Sequence, residues 1–196
     1  MAERARAPLS DRARARGIRV AGIAIILLSA GAVFMPAGKR ISPDMIGGLL
    51  ISAGLIEAVA GSLRQEVRAL AMAAGGVTAL AGLLFLVNPE THFFPSVTPV
   101  IAWLLLRSVI LAVATTKSSG SVRMWTGISA TVDVLLAILL ITGLSVSTLV
   151  ISIFGPTPEM VASFAWVVAA SFVANGLLLL EVASCEARPP PNLSAA

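Results

Sequence analysis

The sequence predicts an all-α polytopic membrane protein whose six transmembrane helices form three repeated helical hairpins. The first observation is composition: 57% of the 196 residues are hydrophobic and 12% are charged, whereas charged residues make up about a quarter of an ordinary water-soluble domain. The second is that the apolar residues form continuous runs, each near the roughly 20 residues with which a helix crosses the hydrocarbon core. The third is that these runs lack the alternation of polar and apolar residues seen in a β-barrel strand. Because lipid offers the backbone no hydrogen-bond partners, the runs must then form helices.

Charged residues and prolines separate the apolar runs and so define the elements. Lys39 and Arg40 follow the first run, and the pairs Asn88-Pro89 and Gly155-Pro156 are typical of turns. The predicted spans, in chain order, are Gly17–Met35, Met45–Leu63, Val67–Val87, Val97–Thr116, Met124–Thr142 and Pro158–Ala183.

The chain is predicted to hold one transmembrane domain between two polar ends. We expect residues 1–16 to form a basic arm, residues 17–184 a six-helix domain, and residues 185–196 a flexible tail, because the prolines after Arg188 cannot continue a helix. The hairpins are about 17–63, 67–116 and 124–183. A basic start before an apolar run is also typical of a signal peptide, but this run is longer and lacks a small-residue cleavage motif before Pro36. We therefore expect an uncleaved first helix.

The positions of Lys and Arg predict the orientation. If the N-terminus is cytoplasmic, eleven Lys and Arg residues lie in the inner segments, whereas Lys39 and Arg40 are the two in the outer loops. Both termini are then expected in the cytoplasm of a bacterial inner-membrane protein. The pI near 10.6 reflects this bias, so the arm is expected to contact anionic lipid headgroups and not nucleic acid.

The hairpins also carry a resemblance to a known family. The second and third both open with a Val-Arg pair, at Val67-Arg68 and Val122-Arg123. With the segments GGLLISAGLIEAVAGS (47–62) and GLLFLVNP (82–89), the chain from about residue 17 to 184 resembles the HdeD-like family of bacterial multi-pass membrane proteins. It departs from the pattern in the third repeat, where Gly143 replaces the expected Asn-Pro turn and the outer loop is longer. The resemblance implies an inner-membrane protein that in some members is linked to acid-stress resistance, with no catalytic residues to carry over.

Three charges, Glu57, Arg107 and Asp133, fall inside apolar spans. Counted from the cytoplasmic ends of their spans, these three and Asn175 all lie roughly 9–14 Å above that surface, and Glu57, Arg107 and Asn175 share one position in the repeat. A lone charge in a transmembrane helix is costly. We therefore predict that Arg107 pairs with Glu57, Asp133 or both inside the bundle, with Asn175 in the same polar cluster.

Two interpretations of this cluster stay open. It is either a buried ion pair that fixes helix register, with Asn175 satisfying the remaining lone pairs, or a proton or cation relay in which two carboxylates share a proton beside one guanidinium. Few polar residues lead from the cluster to the outer face, which favours the structural interpretation.

Further residues suggest contacts and not chemistry. Small residues recur every four positions and predict faces for close helix packing, within the chain, in a homo-oligomer or in a larger membrane complex; they are Gly54, Ala58, Ser62, Ala71, Gly75 and Ala79. His92, in an outer loop, is a candidate pH sensor. The single Cys, Cys185, excludes an intramolecular disulfide and a multi-Cys metal site.

Enzyme motifs are missing from the sequence. It contains no phosphate-binding loop, no His-Glu-x-x-His and no Gly-x-Ser-x-Gly, so we expect no catalysis, no cofactor and no metal site. The function predicted is that of a non-enzymatic inner-membrane protein, for which the resemblance to the HdeD-like family implies a role in acid or envelope stress resistance. The alternatives are a small transporter or proton/cation channel that uses Glu57, Arg107 and Asp133, and an accessory subunit of a larger membrane complex.

Overall fold

A computed structural model describes residues 11–34, 43–87, 93–154 and 158–187. Within these ranges the chain forms six α-helices and no strand, which confirms the all-helical fold. The helices are α1 (Asp11–Phe34), α2 (Pro43–Leu63), α3 (Arg68–Val87), α4 (Phe93–Lys117), α5 (Gly120–Phe154) and α6 (Pro158–Glu186). His92, residues 1–10 of the predicted arm and residues 188–196 of the predicted tail lie outside the described residues.

Five of the helices contain a stretch long and apolar enough to cross a membrane. These stretches are Met45–Leu63, Arg68–Val87, Thr98–Lys117, Gly120–Gly143 and Trp166–Glu186. Each overlaps one of the predicted spans two to six. Proline stands at the first position of α2 and of α6, where its missing N–H costs no intrahelical hydrogen bond.

Helix α1 begins earlier than the sequence predicts, so part of the predicted basic arm is helical. It begins at Asp11 and not at Gly17. An acidic residue in the first turn is favourable beside the helix macrodipole, and Asp11 pairs with Arg14 one turn on. The alanines and arginines that follow Asp11 are good helix formers, so nothing in residues 11–16 delays the helix.

The predicted long outer loop of the third hairpin is wrong over residues 143–154. Helix α5 continues through Gly143 to Phe154 and is 35 residues long. One glycine inside a helix costs only about 1 kcal/mol relative to alanine, and no proline follows it until Pro156. The helix therefore ends before the Gly155-Pro156 pair and not at Gly143.

The six helices close a ring. Each packs against its neighbours in the chain, and α6 also packs against α1. The most extensive contacts are those of α2 with α3, α1 with α6 and α4 with α5. The closest pairs are therefore not the three hairpins predicted from the sequence, although the two helices of each hairpin also touch.

The α2–α3 and α4–α5 pairs are joined by short turns at residues 64–67 and 118–119. The start of α1 and the end of α6 lie beside the first turn, since Gln65 contacts Asp11 and Glu186. This end of the bundle is called the tight-turn end below.

Polarity is inverted relative to a water-soluble protein. Large apolar side chains cover the outside, among them Leu27, Val59, Leu84, Leu106 and Leu139. Polar side chains are buried, among them Thr78, Thr126, Ser129, Asp133 and Ser171. In water such an arrangement would expose apolar surface and desolvate polar groups. In lipid the same arrangement places the apolar side chains against hydrocarbon and keeps the polar ones away from it. The chain is therefore a polytopic membrane protein.

The predicted small-residue faces pack against each other inside the chain. A Cβ atom on Gly54 of α2 would lie 2.7 Å from the carbonyl oxygen of Gly75 on α3, and one on Gly75 would lie 2.7 Å from that of Gly54. Gly47, seven residues before Gly54, and Gly82, seven residues after Gly75, face each other in the same way. This contact brings the two backbones together as in other small-residue membrane seams, and it leaves the Gly54–Gly75 face inside the molecule.

Candidate functional site

Arg107 joins two carboxylates at the centre of the ring. It lies near the middle of α4, and its Nη2 donates a hydrogen bond to Oε1 of Glu57 on α2 at 3.0 Å. Its Nη1 donates to Oδ2 of Asp133 on α5. Since α2 and α4 are not packed neighbours, the long Arg107 side chain is what connects them. The predicted pairing of Arg107 is present with both acids.

A serine from a fourth helix completes the group. The Oγ of Ser171 on α6 donates to Oδ1 of Asp133 at 2.7 Å, so both oxygens of Asp133 are hydrogen-bonded. Sequence reasoning missed Ser171. The signal that could have found it is its spacing, because it lies four residues before Asn175 and therefore on the same face of α6. Glu57, Arg107, Asp133 and Ser171 are called the charge network below.

Asn175 is placed near the charge network but outside it. Its side chain is buried, and its Oδ1 has no hydrogen-bond partner among the described residues. The donor that bonds Oδ1 of Asp133 is the Oγ of Ser171, one turn before Asn175, and the role expected of Asn175 stays a prediction. The predicted cluster comes together at Glu57, Arg107 and Asp133.

The charge network is closed to its surroundings. The exposed fractions are 5% for Glu57, 1% for Arg107 and 0% for Asp133. Two carboxyl groups and one guanidinium carry a net negative charge when all three ionise. Chemically, the arrangement can hold four helices together.

Buried polar groups extend from the charge network towards the tight-turn end. Ser129 lies one turn from Asp133 along α5, and Asn175 one turn from Ser171 along α6; both lie on the side of that end. The Oγ of Ser129, like the Oδ1 of Asn175, lacks a hydrogen-bond partner in the part of the chain that the structure describes. Arg64 lies two turns beyond Glu57 in the same direction and is 6% exposed. In the sequence, Arg64 counts among the eleven basic residues assigned to the inner segments, and that assignment does not predict its burial.

Arg64 is incompletely compensated by its neighbours. Burial lowers the pKa of its guanidinium, while the carboxylates of Glu57, Glu186 and Glu66 raise the pKa and offset this in part. Glu57 is therefore in electrostatic reach of both Arg107 and Arg64. This places one acid of the charge network between two arginines.

Trp103 fixes α4 against α3 one turn from Arg107. Its indole Nε1 donates to Oγ1 of Thr78 at 3.0 Å, and both side chains are buried. The same face of α4 thus carries an anchor to α3 and the guanidinium that reaches α2 and α5. No family model, curated protein or solved structure matches this chain.

Proposed function

We propose that this chain is a non-enzymatic protein of the bacterial inner membrane, with both termini in the cytoplasm, that serves resistance to acid or envelope stress. The excess of Lys and Arg in the segments assigned to the cytoplasm supports the orientation. The hairpins with their GLLFLVNP and GGLLISAGLIEAVAGS segments, which resemble the HdeD-like family, support the role in stress.

The observation that carries this proposal is the closed charge network. A protein that works during acid exposure must keep its fold when exposed carboxylates are protonated, since stability held by such carboxylates is lost as the pH falls. Arg107 remains charged under these conditions, and its carboxyl partners are shielded from both water and lipid. The bundle is then held by a cation whose contacts external acid does not reach directly.

Survival of a bacterial host after acid shock tests this function. Host cells that produce the chain are expected to survive better than cells with an empty vector. Arg107→Met is expected to remove the benefit, whereas Arg68→Met, at an exposed arginine outside the charge network, should retain it. Equal survival with and without the chain, at a confirmed level of protein in the membrane, contradicts the proposed function.

A proton or cation relay is the second candidate, and the polar groups that extend towards the tight-turn end favour it. Ser129, Asn175 and Arg64 provide buried polar positions between the charge network and that end. A relay needs such intermediate groups, as well as a carboxyl that can gain and lose a proton.

Flux measurements separate the relay from the structural role. In liposomes with a pH-sensitive dye, the relay requires proton or cation flux that Asp133→Asn abolishes. Glu181→Gln changes a carboxylate on α6 outside the charge network and should leave the flux unchanged. Absence of flux through the intact protein rejects the relay and leaves the stress proposal standing.

A further inference from the structure

A cavity opens at the tight-turn end, apart from the charge network. Its volume is about 520 Å³, and it is lined by Asp11 at the start of α1, by turn residues 64–66, by Ser119 with the first residues of α5 (120–122), and by the end of α6. This volume lies within the roughly 300–1,000 Å³ of small-molecule sites. Four separate chain segments thus form one pocket, called the end cavity below.

Arg64 supplies the end cavity with a cation that lacks a full set of partners. The residue is 6% exposed, and its Nη2 has no hydrogen-bond partner within the described residues. A buried guanidinium nitrogen without an acceptor is unfavourable, and the planar fork of a guanidinium matches the oxygens of a phosphate. The end cavity therefore favours a ligand with a phosphate group.

Three carboxylates line the same cavity, and they favour a ligand that also carries an ammonium group. Glu66 accepts a hydrogen bond from Ser119 at 3.1 Å, and Glu186 accepts one from the backbone N–H of Gln65 at 3.1 Å. Asp11 is the third. A carboxylate has about four acceptor positions, so each retains capacity for an ammonium group. Arg14 pairs with Asp11 and its Nη2 lies 4.0 Å from Oε2 of Glu186. Three carboxylates therefore face two guanidinium groups, and this balance does not favour a ligand that is only anionic.

The depth of the end cavity matches the lipid headgroups. Arg64 directly follows the membrane-spanning stretch of α2, and Glu186 ends that of α6, which places the cavity at the edge of the hydrocarbon core. None of the described residues that line it is aromatic. Quaternary ammonium groups are typically held by aromatic cages, so carboxylates alone favour a primary ammonium, which can donate hydrogen bonds.

We propose that the end cavity binds a phosphoethanolamine group, with the phosphate on Arg64 and the primary ammonium on Glu66 and Glu186. The group is presented either as the headgroup of phosphatidylethanolamine or as free phosphoethanolamine. This binding site is independent of the function proposed above for the charge network.

Cys185 provides the test, because it lines the end cavity and is the single cysteine of the chain. Its Sγ lies 3.3 Å from Oγ of Ser121. The full chain is placed in nanodiscs of phosphatidylcholine alone, with phosphatidylethanolamine or with phosphatidylglycerol, and the rate of maleimide labelling is measured. Phosphatidylethanolamine should slow labelling by about tenfold, as expected for one or two hydrogen bonds between charged groups. Phosphatidylglycerol should not slow it.

Free phosphoethanolamine added to the phosphatidylcholine nanodiscs distinguishes the sources. If it slows labelling as the lipid does, the site takes the group without its acyl chains; if only the lipid does so, the acyl chains are required and the ligand is the lipid headgroup. Both results support the site. Equal labelling rates under all conditions, or slowing by phosphatidylglycerol as large as that by phosphatidylethanolamine, would overturn it.

Variants test whether the slower labelling of Cys185 depends on Arg64 and Glu66. Arg64→Gln should abolish the slowing, whereas Arg68→Gln, exposed and outside the end cavity, should retain it. Glu66→Gln changes an exposed carboxylate and should weaken the slowing without loss of folded protein. If Arg64→Gln does not fold, Glu66→Gln decides, and unchanged protection in that variant rejects the proposal.

Discussion

Arg107 is the residue on which contacts between non-neighbouring helices depend. Its two Nη atoms reach Glu57 on α2 and Asp133 on α5, and Ser171 on α6 bonds the far oxygen of Asp133. A lysine could not serve both carboxylates with the same geometry, because an ammonium is a point charge and a guanidinium is a planar fork. The stability of the centre of the ring therefore depends on one side chain.

Arg107→Met should destabilise the protein strongly. It leaves two buried carboxyl groups without their cation, and breaking a buried pair in this way costs about 3–5 kcal/mol. The double variant Arg107→Met/Asp133→Leu removes one of the orphaned acids and should recover a large part of the loss. Thermal unfolding in detergent measures both, with Arg68→Met as the exposed control. If the double variant is less stable than the single one, the network is not the structural ion pair described here.

Val67 carries local strain in the turn between α2 and α3. Its φ is 49°, a left-handed conformation that a β-branched residue adopts at a cost of about 1–3 kcal/mol. Val67→Gly removes this cost and should raise the melting temperature, with a net gain of up to about 1 kcal/mol after the added freedom of the unfolded chain. Val20→Gly, in the middle of α1, should lower it. A Val67→Gly protein that melts below the parent would show that the turn is not strained.

Residue chemistry explains which parts of the charge network were predictable. Glu57, Arg107 and Asp133 are recognisable from sequence because a charge inside an apolar span needs a partner. Ser171 is not, since a serine in a membrane helix can bond its own backbone, as Ser108 does with the carbonyl of Leu105. Asn175 was placed in the cluster by its position in the repeat, which indicates depth in the membrane but not which side chain bonds the ion pair.

Between helices, glycine pairs set the closest approaches. Gly54 faces Gly75 in the α2–α3 contact, and Gly22 on α1 faces Gly176 on α6, where a Cβ on Gly22 would lie 2.9 Å from the carbonyl oxygen of Gly176. The four-residue spacing in the sequence predicted that Gly54 and Gly75 belong to small-residue packing faces, but it left open what those faces contact. The sequence carried no signal for the second pair, because no small residue lies four positions from Gly22 or Gly176 in its helix and the two glycines are far apart in the chain.

Gly75→Ala and Gly76→Ala form a matched pair of tests for the α2–α3 contact. A Cβ at Gly75 would meet the backbone of α2, 2.7 Å from the carbonyl oxygen of Gly54, whereas one at Gly76 would meet nothing within 4 Å. Gly75→Ala should therefore destabilise the protein by about 1–3 kcal/mol, as in other overpacked contacts. Gly76→Ala should be neutral or stabilising by up to about 1 kcal/mol, from helix propensity. Equal melting temperatures for the two variants would contradict this packing.

Helix ends were harder to predict than helix positions. Apolar runs locate the membrane stretches of α2 to α6 because lipid requires both an apolar surface and a satisfied backbone. They carry no information on how far a helix continues outside the lipid. Helix α1 starts at Asp11 and α5 continues to Phe154, because neither the arginine-rich segment nor Gly143 stops a helix that its neighbours stabilise.

At the scale of the whole molecule, the ring closes through α1 and α6. This contact joins the two ends of the chain and is among the most extensive in the bundle. The hairpin repeat predicts which helices follow one another, but the pairing that packs most closely depends on side-chain shape across the whole bundle. Closure brings the start of α1 and the end of α6 to the tight-turn end, which is also where the end cavity lies.

Closure places the start of α1 and the end of α6 at the same end of the bundle, and this leads to a prediction about topology. Since α1 begins and α6 ends at the tight-turn end, and the arginine-rich segment of α1 starts there, the proposed positive-inside orientation places this end in the cytoplasm. A green fluorescent protein fused after Ala196 should fluoresce, and alkaline phosphatase fused at the same site should be inactive. Alkaline phosphatase inserted at Gly38 should be active, since that loop is proposed to be periplasmic. Active phosphatase after Ala196 would reverse the orientation, and the end cavity would then face the periplasm, whose solutes and leaflet would supply its ligand.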